Sequence, residues 1–253
     1  MIDVNVSFGQ WPFQRFSIKT IGELVAHLKS EGIEQAMVSH LGCVFFADPD
    51  AYNRDLLRAC RRHPEIHPVP VVNPHLNGWR DNLDVYLEND AVKAVKVIPS
   101  FHNYRLYSKP VFELIEVLNA RGVQFMIQMR YEDERDRYFA LNVYGPKVAQ
   151  VVRLANRFPS TRMFCLNAYL PEARELGKAT DNIAVDTAFA EWIRMMELLL
   201  EDMPAERIFL GTHTPLLVTR ASVMKITRSV VSDAIKRRIT HSNADQILNA
   251  TGR

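Results

Sequence analysis

The sequence predicts an α/β fold, a single (β/α)8 or TIM barrel over residues 1–253. Three observations carry that expectation. The chain has the length of one such barrel. Short apolar runs alternate with amphipathic stretches of helical period from one end to the other. No linker rich in Pro, Gly or Ser divides the chain.

The first strand is read at 2–6, followed by a helix at 18–31 and a second strand at 35–39. A helix at 50–62, starting just after Pro49, leads to a strand at 68–72; a helix at 78–89 leads to a strand at 92–98. Gly122 separates the next helix, 110–121, from a strand at 123–129. The second half continues with helix 146–158, strand 162–166, a short helix 171–176, strand 183–185, helix 189–201 and strand 208–210. Two last helical stretches, 222–235 and 244–249, would close and cap the ring. Eight βα units of about thirty residues favour a closed barrel over an open doubly wound sheet. The turn after the first strand, Ser7-Phe8-Gly9-Gln10, lacks the glycine spacing of a dinucleotide site.

Composition narrows the function classes. With 31 basic and 29 acidic residues the formal charge is only +2, which argues against nucleic acid as a partner. Basic runs such as Arg61-Arg62-His63 and Lys236-Arg237-Arg238 fall at expected helix ends, where cations favour the helix dipole. Cys43, Cys60 and Cys165 are widely and irregularly spaced, the pattern of reduced buried thiols in a cytoplasmic protein. No leader-like segment opens the sequence and no apolar run is long enough to span a bilayer, so no membrane association is expected.

In an α/β barrel the chemistry sits at the C-terminal ends of the strands. Read in order, those ends carry Asn5 and Ser7, Ser39 and His40, Asn73 and His75, Ser100, His102 and Asn103, Gln128 and Arg130, Asn167, Asp186 and Thr187, and finally Thr212, His213 and Thr214. His27, His63 and His241 fall on helices or helix ends and are assigned no chemistry. The charged stretch from Tyr131 to Tyr138, in the long loop 130–145, reads as a solvated face or as a lid.

Two segments carry a family resemblance. Ile2-Asp3-Val4-Asn5-Val6-Ser7-Phe8-Gly9 resembles the I-D-x-H-x-H-x-G opening of amidohydrolase-related barrels of the amidohydrolase 2 type, with both histidines replaced. Arg207-Ile208-Phe209-Leu210-Gly211-Thr212-His213-Thr214-Pro215 is similar to the family's R-[IL]-[LM]-F-G-[ST]-D-x-P, with His213 in place of the aspartate. The resemblance implies a metal-dependent-hydrolase-like fold and further ligand positions at Gln128 and Asn167. Asn5, Ser7, Gln128, Asn167 and His213 thus stand where metal ligands belong. Amides and hydroxyls with one imidazole are poor ligands for a divalent transition ion, and Lys96 pointing inward would repel one. No metal or other cofactor is therefore expected.

What remains is a metal-independent site for a small polar or carboxylated substrate, used for hydrolysis or decarboxylation. His213 is the expected acid-base group, with Asp186 to orient it and His102 as a second imidazole. Arg130 would bind a carboxylate, and Asn5, Gln128, Asn167 and Lys96 would position the substrate. Lys96 is equally readable as a lysine snorkelling toward Asp186. Trp11-Pro12-Phe13 could wall the pocket or simply pack under its loop. The competing reading is a non-catalytic barrel that binds a ligand or partner protein; a lesser one is a relocated metal on His102, His213 and a carboxylate. Pairing into a homo-oligomer through loops and outer helices is compatible with either.

Overall fold

The computed structural model describes residues 1–133 and 143–250. Eight strands run parallel: β1 (Ile2–Phe8), β2 (Gln35–His40), β3 (Ile66–Pro68), β4 (Ala94–Val97), β5 (Gln124–Gln128), β6 (Met163–Leu166), β7 (Ile183–Asp186) and β8 (Ile208–Phe209). Ladders order them as β1-β2-β3 and β4-β5-β6-β7-β8. Both seams between these sheets carry backbone hydrogen bonds. Lys96 N donates to Pro70 O and Val72 N to Lys96 O, each at 2.9 Å. At the other seam Val4 N donates to Leu210 O, His213 N to Asn5 O and Ser7 N to Thr214 O, at 2.9, 2.8 and 2.7 Å.

The helices are α1 (Ile21–Ser30), α2 (Gly42–Phe45), α3 (Asp50–Cys60), α4 (Trp79–Leu87), α5 (Lys109–Ala120), α6 (Val148–Arg157), α7 (Leu170–Ala179), α8 (Met195–Asp202), α9 (Thr219–Thr227), α10 (Asp233–Arg237) and α11 (Asn243–Leu248). Each outer helix begins where local chemistry allows. Thr20 and Glu23 form a reciprocal capping box for α1, and the Ser232 hydroxyl accepts from Ile235 N at the start of α10.

Three expected elements are displaced, each for a local reason. The third strand was expected at 68–72, yet its ladder lies at Ile66–Pro68, because Pro68 and Pro70 have no N–H to offer a neighbour. The helix expected at 189–201 starts only at Met195, after Arg194 in a left-handed conformation with φ 61°. The helix expected at 222–235 is two helices, α9 and α10, with the Ser232 cap marking the restart.

Inward side chains stack in layers. At the bottom, Ile2, Val4, Met37, Val69, Ala94, Met126, Phe164, Ala184 and Phe209 fill the barrel, and Ala244, Ile247 and Leu248 of α11 plug its N-terminal end. Outward residues of the same strands, such as Val95, Val97, Ile127 and Val185, pack against the helices. At the C-terminal end Trp11, Phe16, Leu41, Cys43, Val44, Val71, Ile98 and Tyr131 form a separate buried cluster with Phe45 and Phe101 against it. The polar residues of interest lie between the two apolar layers. The three cysteines are free and buried, and no described helix is long and apolar enough to cross a membrane.

Candidate functional site

Strand parity places the site. Lys96 follows Ala94 inward on β4, Gln128 follows Met126 on β5, and Asp186 follows Ala184 on β7. A register irregularity in β1 between Asp3 and Val6 brings Asn5 into the same layer. Asn167 and His213, at the ends of β6 and β8, have φ of 60° and 56°, the left-handed region that polar residues enter at a cost and that turns both side chains toward each other. Asn5, Gln128, Asn167, Asp186 and His213 are all fully buried.

A network of amides joins these strands. Asn5 Nδ2 donates to Asn167 Oδ1 and to Asp186 Oδ2, both at 2.6 Å. Asn167 N donates to Asp186 Oδ1 at 2.8 Å, and Asn167 Nδ2 to Arg130 O at 2.8 Å. The same amide lies 3.1 Å from His213 Nδ1, while His213 Nε2 is 2.8 Å from Tyr131 O. Tyr131 O can only accept, so the proton sits on Nε2 and Nδ1 accepts from Asn167. Burial holds this imidazole neutral, pushing its pKa down to about 3, and the charge of Lys96 adds to the effect.

Asp186 does not touch the His213 ring directly; Asn167 stands between them. Burial raises the Asp186 pKa, opposed by the hydrogen bonds from Asn5 and Asn167 and by Lys96. Lys96 does not bond to Asp186 either: its Nζ donates to Ser39 Oγ at 2.9 Å. Burial lowers its pKa to about 8 against the pull of Asp186, Cys43 and Asp3. Asp3, which lies before the strand end and so outside the pattern of strand-end polar residues, is a second buried carboxylate. It accepts from Asn5 N at 2.9 Å and from Thr212 Oγ1 at 2.5 Å, and burial raises its pKa to about 6. The first strand's Ile-Asp opening, facing a Thr after the eighth, was the available signal.

Other expected partners lie apart. Arg130 turns its guanidinium to Glu172, with NH1 and NH2 each 2.6 Å from a carboxylate oxygen, and stacks on Tyr169 at 3.9 Å. His102 Nε2 pairs with the backbone oxygen of Cys43, a member of the aromatic cluster, at 2.8 Å, and the His102 ring meets Tyr104. Among the described residues no three His, Cys, Asp or Glu side chains converge as metal ligands, so His102, His213 and a carboxylate do not form a site together.

The donor set does not suit a divalent ion. Asn167 presents N–H to the imidazole, Asn5 spends both amide hydrogens on neighbours, and a lysine ammonium shares the chamber. Several polar atoms in this layer nevertheless lack a partner among the described residues: Asn5 Oδ1, Ser7 Oγ and Gln128 Oε1. Above them Trp11 stacks on Tyr131, ring centroids 5.6 Å apart, with its Nε1 donating to Glu132 at 2.8 Å. Phe101 and Phe45 complete this cover.

Beside the cover, over the loops that follow β6, β7 and β8, lies a cleft of about 830 Å³ whose walls include Tyr169, Leu170, Phe189, Trp192 and Leu217. Phe189 meets the His213 ring edge to face at 5.5 Å, so it separates the cleft from the buried network. Of the expected lid, residues 134–142 lie outside the described part of the chain.

No family model and no curated protein matches the sequence. Solved structures do match. The 5-carboxyvanillate decarboxylase LigW from Sphingomonas paucimobilis aligns over 99% of both chains with a TM-score of 0.72 at 14% identity. A 2,6-dihydroxybenzoate decarboxylase in complex with 2,6-dihydroxybenzoate aligns over 98% of this chain and 99% of its own, with a TM-score of 0.78 at 11% identity. A dihydroxybenzoic acid decarboxylase from Polaromonas sp. JS666, with bound manganese and the inhibitor 2-nitroresorcinol, aligns over 98% and 96% with a TM-score of 0.74 at 14% identity. The fold is the barrel these decarboxylases share. At such identities the likeness is one of fold, and site and chemistry rest on this chain's own residues.

Proposed function

We propose that this chain is a metal-independent enzyme of the amidohydrolase type that acts on a small carboxylated, hydroxyl-bearing substrate at the C-terminal mouth of its barrel. Decarboxylation is preferred over hydrolysis, because the decarboxylases of like fold act on benzoates that carry both groups. The reading is carried by the buried polar atoms left without partners, Asn5 Oδ1, Ser7 Oγ and Gln128 Oε1. Two amide oxygens that can only accept, together with the Ser7 hydroxyl and the buried Lys96 ammonium, match a ligand offering hydroxyl donors and a negative group.

The chain's residues would divide the work as follows. Lys96 supplies positive charge, and Asn5 and Gln128 accept from substrate hydroxyls. Asp186, a carboxylate that accepts on both oxygens, orients Asn5 and Asn167, and the Lys96 ammonium, whose pKa burial lowers to about 8, is the group best able to hold a proton for delivery to carbon. His213 would fix Asn167 and the Tyr131 backbone, with both of its nitrogens engaged. Arg130 reaches substrate only by leaving Glu172.

A second reading is favoured by one specific observation, the aromatic cover of Trp11, Tyr131, Phe45 and Phe101 that fills the mouth. It makes the chain a non-catalytic barrel that binds a small ligand in the cleft beside Phe189. One experiment separates the two. The purified chain is incubated with a panel of hydroxybenzoates, including 2,6-dihydroxybenzoate and 5-carboxyvanillate, with EDTA or with MnCl2, and carbon dioxide release is followed. Turnover that survives EDTA and is lost in Asp186→Asn supports the enzyme; turnover only with manganese overturns metal independence. A saturable thermal shift without turnover supports the second reading, and neither effect overturns the substrate class.

A further inference from the structure

The decarboxylase structures of like fold include some with bound manganese; this barrel buries Lys96, 2% exposed, in its inward polar layer with the chain packed on every side of it. An ammonium buried to that extent is costly unless opposite charge lies close by. Lys96 has one hydrogen bond, to the neutral Ser39 hydroxyl, so its stabilisation has to come from elsewhere in the chamber.

The titratable groups that act on it from the surrounding strands and loops are Asp186 of β7, Asp3 of β1, Cys43 of α2 and His213. The thiol of Cys43 is held protonated by burial and the imidazole of His213 is neutral, so the two carboxyls are the sources of negative charge. Asp3 is satisfied by Thr212 and the Asn5 backbone. Asp186 takes one hydrogen bond on each oxygen from the neutral groups Asn5 and Asn167 and makes no ion pair among the described residues; the cations whose charge acts on it are Lys96 and Lys225, and Lys225 is already held by the carbonyls of Thr187 and Ala188 and by Glu191.

We infer that Lys96 is the barrel's built-in cation: its ammonium, fixed to β4, balances the buried Asp186 carboxylate and closes the chamber to a divalent ion. The reasoning is one of charge. Asp186 and its amide neighbours would attract a cation from solution if the chamber held none, and a dication entering beside Lys96 meets repulsion with no thiolate, free imidazole nitrogen or second free carboxylate to offset it. The inference does not depend on turnover, so it holds for an active or an inactive barrel alike.

A double-mutant cycle tests it. Lys96→Met and Asp186→Asn are made singly and together in the full chain, and urea unfolding is followed at neutral pH by circular dichroism. Each single variant should lower the folded-to-unfolded ratio by at least about a hundredfold, since each leaves one buried charge alone. The double variant should lose at least about tenfold less than the product of the two single losses. A double loss equal to that product overturns the pairing. If a single variant is insoluble, soluble yield is read instead: a double variant more soluble than the worse single supports the pairing, and one no better overturns it. Wild type soaked in MnCl2 or ZnCl2 and desalted should retain substoichiometric metal by elemental analysis; one equivalent per chain, lost in Asn5→Ala, overturns the closed chamber.

Discussion

Asn5 and Asp186 meet at 2.6 Å across the barrel, an amide hydrogen from the first strand on a carboxylate oxygen from the seventh. The second hydrogen of the same amide goes to Asn167 at 2.6 Å. In the barrels that the opening motif resembles, the Asn5 position carries a histidine; here it carries a group that bonds neighbouring side chains to one another. The layer is a set of cross-strand hydrogen bonds in a buried interior, where each bond is worth more than in water.

Replacing Asn5 by Ala therefore leaves one oxygen of Asp186 and one of Asn167 without a donor. The expected loss is about 2–4 kcal/mol of unfolding free energy, measured by urea denaturation. Ser7→Ala is the contrast, since its hydroxyl has no partner among the described residues. That change should stay within about 0.5 kcal/mol of wild type. Equal losses at the two positions would refute the network as a source of stability.

His213 makes the fold sensitive to acid. Its folded pKa lies at about 3 against an ordinary 6.5. Between those values the unfolded chain binds a proton at this ring and the folded chain does not, so the stability it contributes is complete above 6.5 and is lost as pH falls toward 3. Asp3 runs the other way. With a folded pKa of about 6 against 3.8, it keeps its proton in the folded chain where the unfolded chain has released it, and stability falls as pH rises through that window. His213→Gln removes the first contribution and keeps the second. The stability gap between wild type and this variant should narrow by about 3 kcal/mol as pH is lowered from 6.5 to 3.8. Denaturation curves across that range check it, and a gap constant with pH would count against a neutral buried ring.

Phe189 is the wall between the cleft and the His213 ring. In wild type the imidazole is fully buried, with one nitrogen on Tyr131 O and the other on the Asn167 amide, so diethyl pyrocarbonate should not modify it. Phe189→Ala should open that path and let peptide mapping find His213 carbethoxylated, with a loss of about 3–5 kcal/mol in stability as the cost of the truncation. Modification of His213 at equal rates in both proteins would show that the ring is reached another way.

The positions of these groups were legible because strand parity and barrel geometry decide them. Lys96, Gln128 and Asp186 had to share a layer once their strands were assigned, and the segment ending in His213 fixed the last of them. Their partners were not legible. Arg130 is drawn to Glu172, which sits in the first turn of α7 and also accepts from Tyr169 N at 2.8 Å, a pairing between a loop and a helix start that no local pattern announces. The same holds for Asn167 standing between Asp186 and His213, because its side-chain direction depends on a left-handed φ at a non-glycine residue. The aromatic cover was half visible in Trp11-Pro12-Phe13; that Tyr131 would stack on it follows from the loop after β5 folding back over the mouth. Tertiary packing of that kind outweighs the local propensity from which loops are read.

Gly211 gives the most stringent test of where Asp186 lies. A methyl group added at this position would run into the Asp186 carboxylate, meeting its Oδ2 first and its Cβ and Cγ at 2.7 and 2.8 Å. The backbone between β8 and His213 thus approaches β7 more closely than any side chain permits, which is what lets Asp186 reach both Asn5 and Asn167. Gly211→Ala must push that carboxylate aside, and the network that depends on it goes with it. The expected cost is about 2–3 kcal/mol from overpacking alone. Because the lost bonds are those that Asp186 makes, Gly211→Ala combined with Asp186→Asn should cost less than the sum of the two changes, by about 1 kcal/mol or more in urea denaturation. Additive losses would place the strain somewhere other than against Asp186.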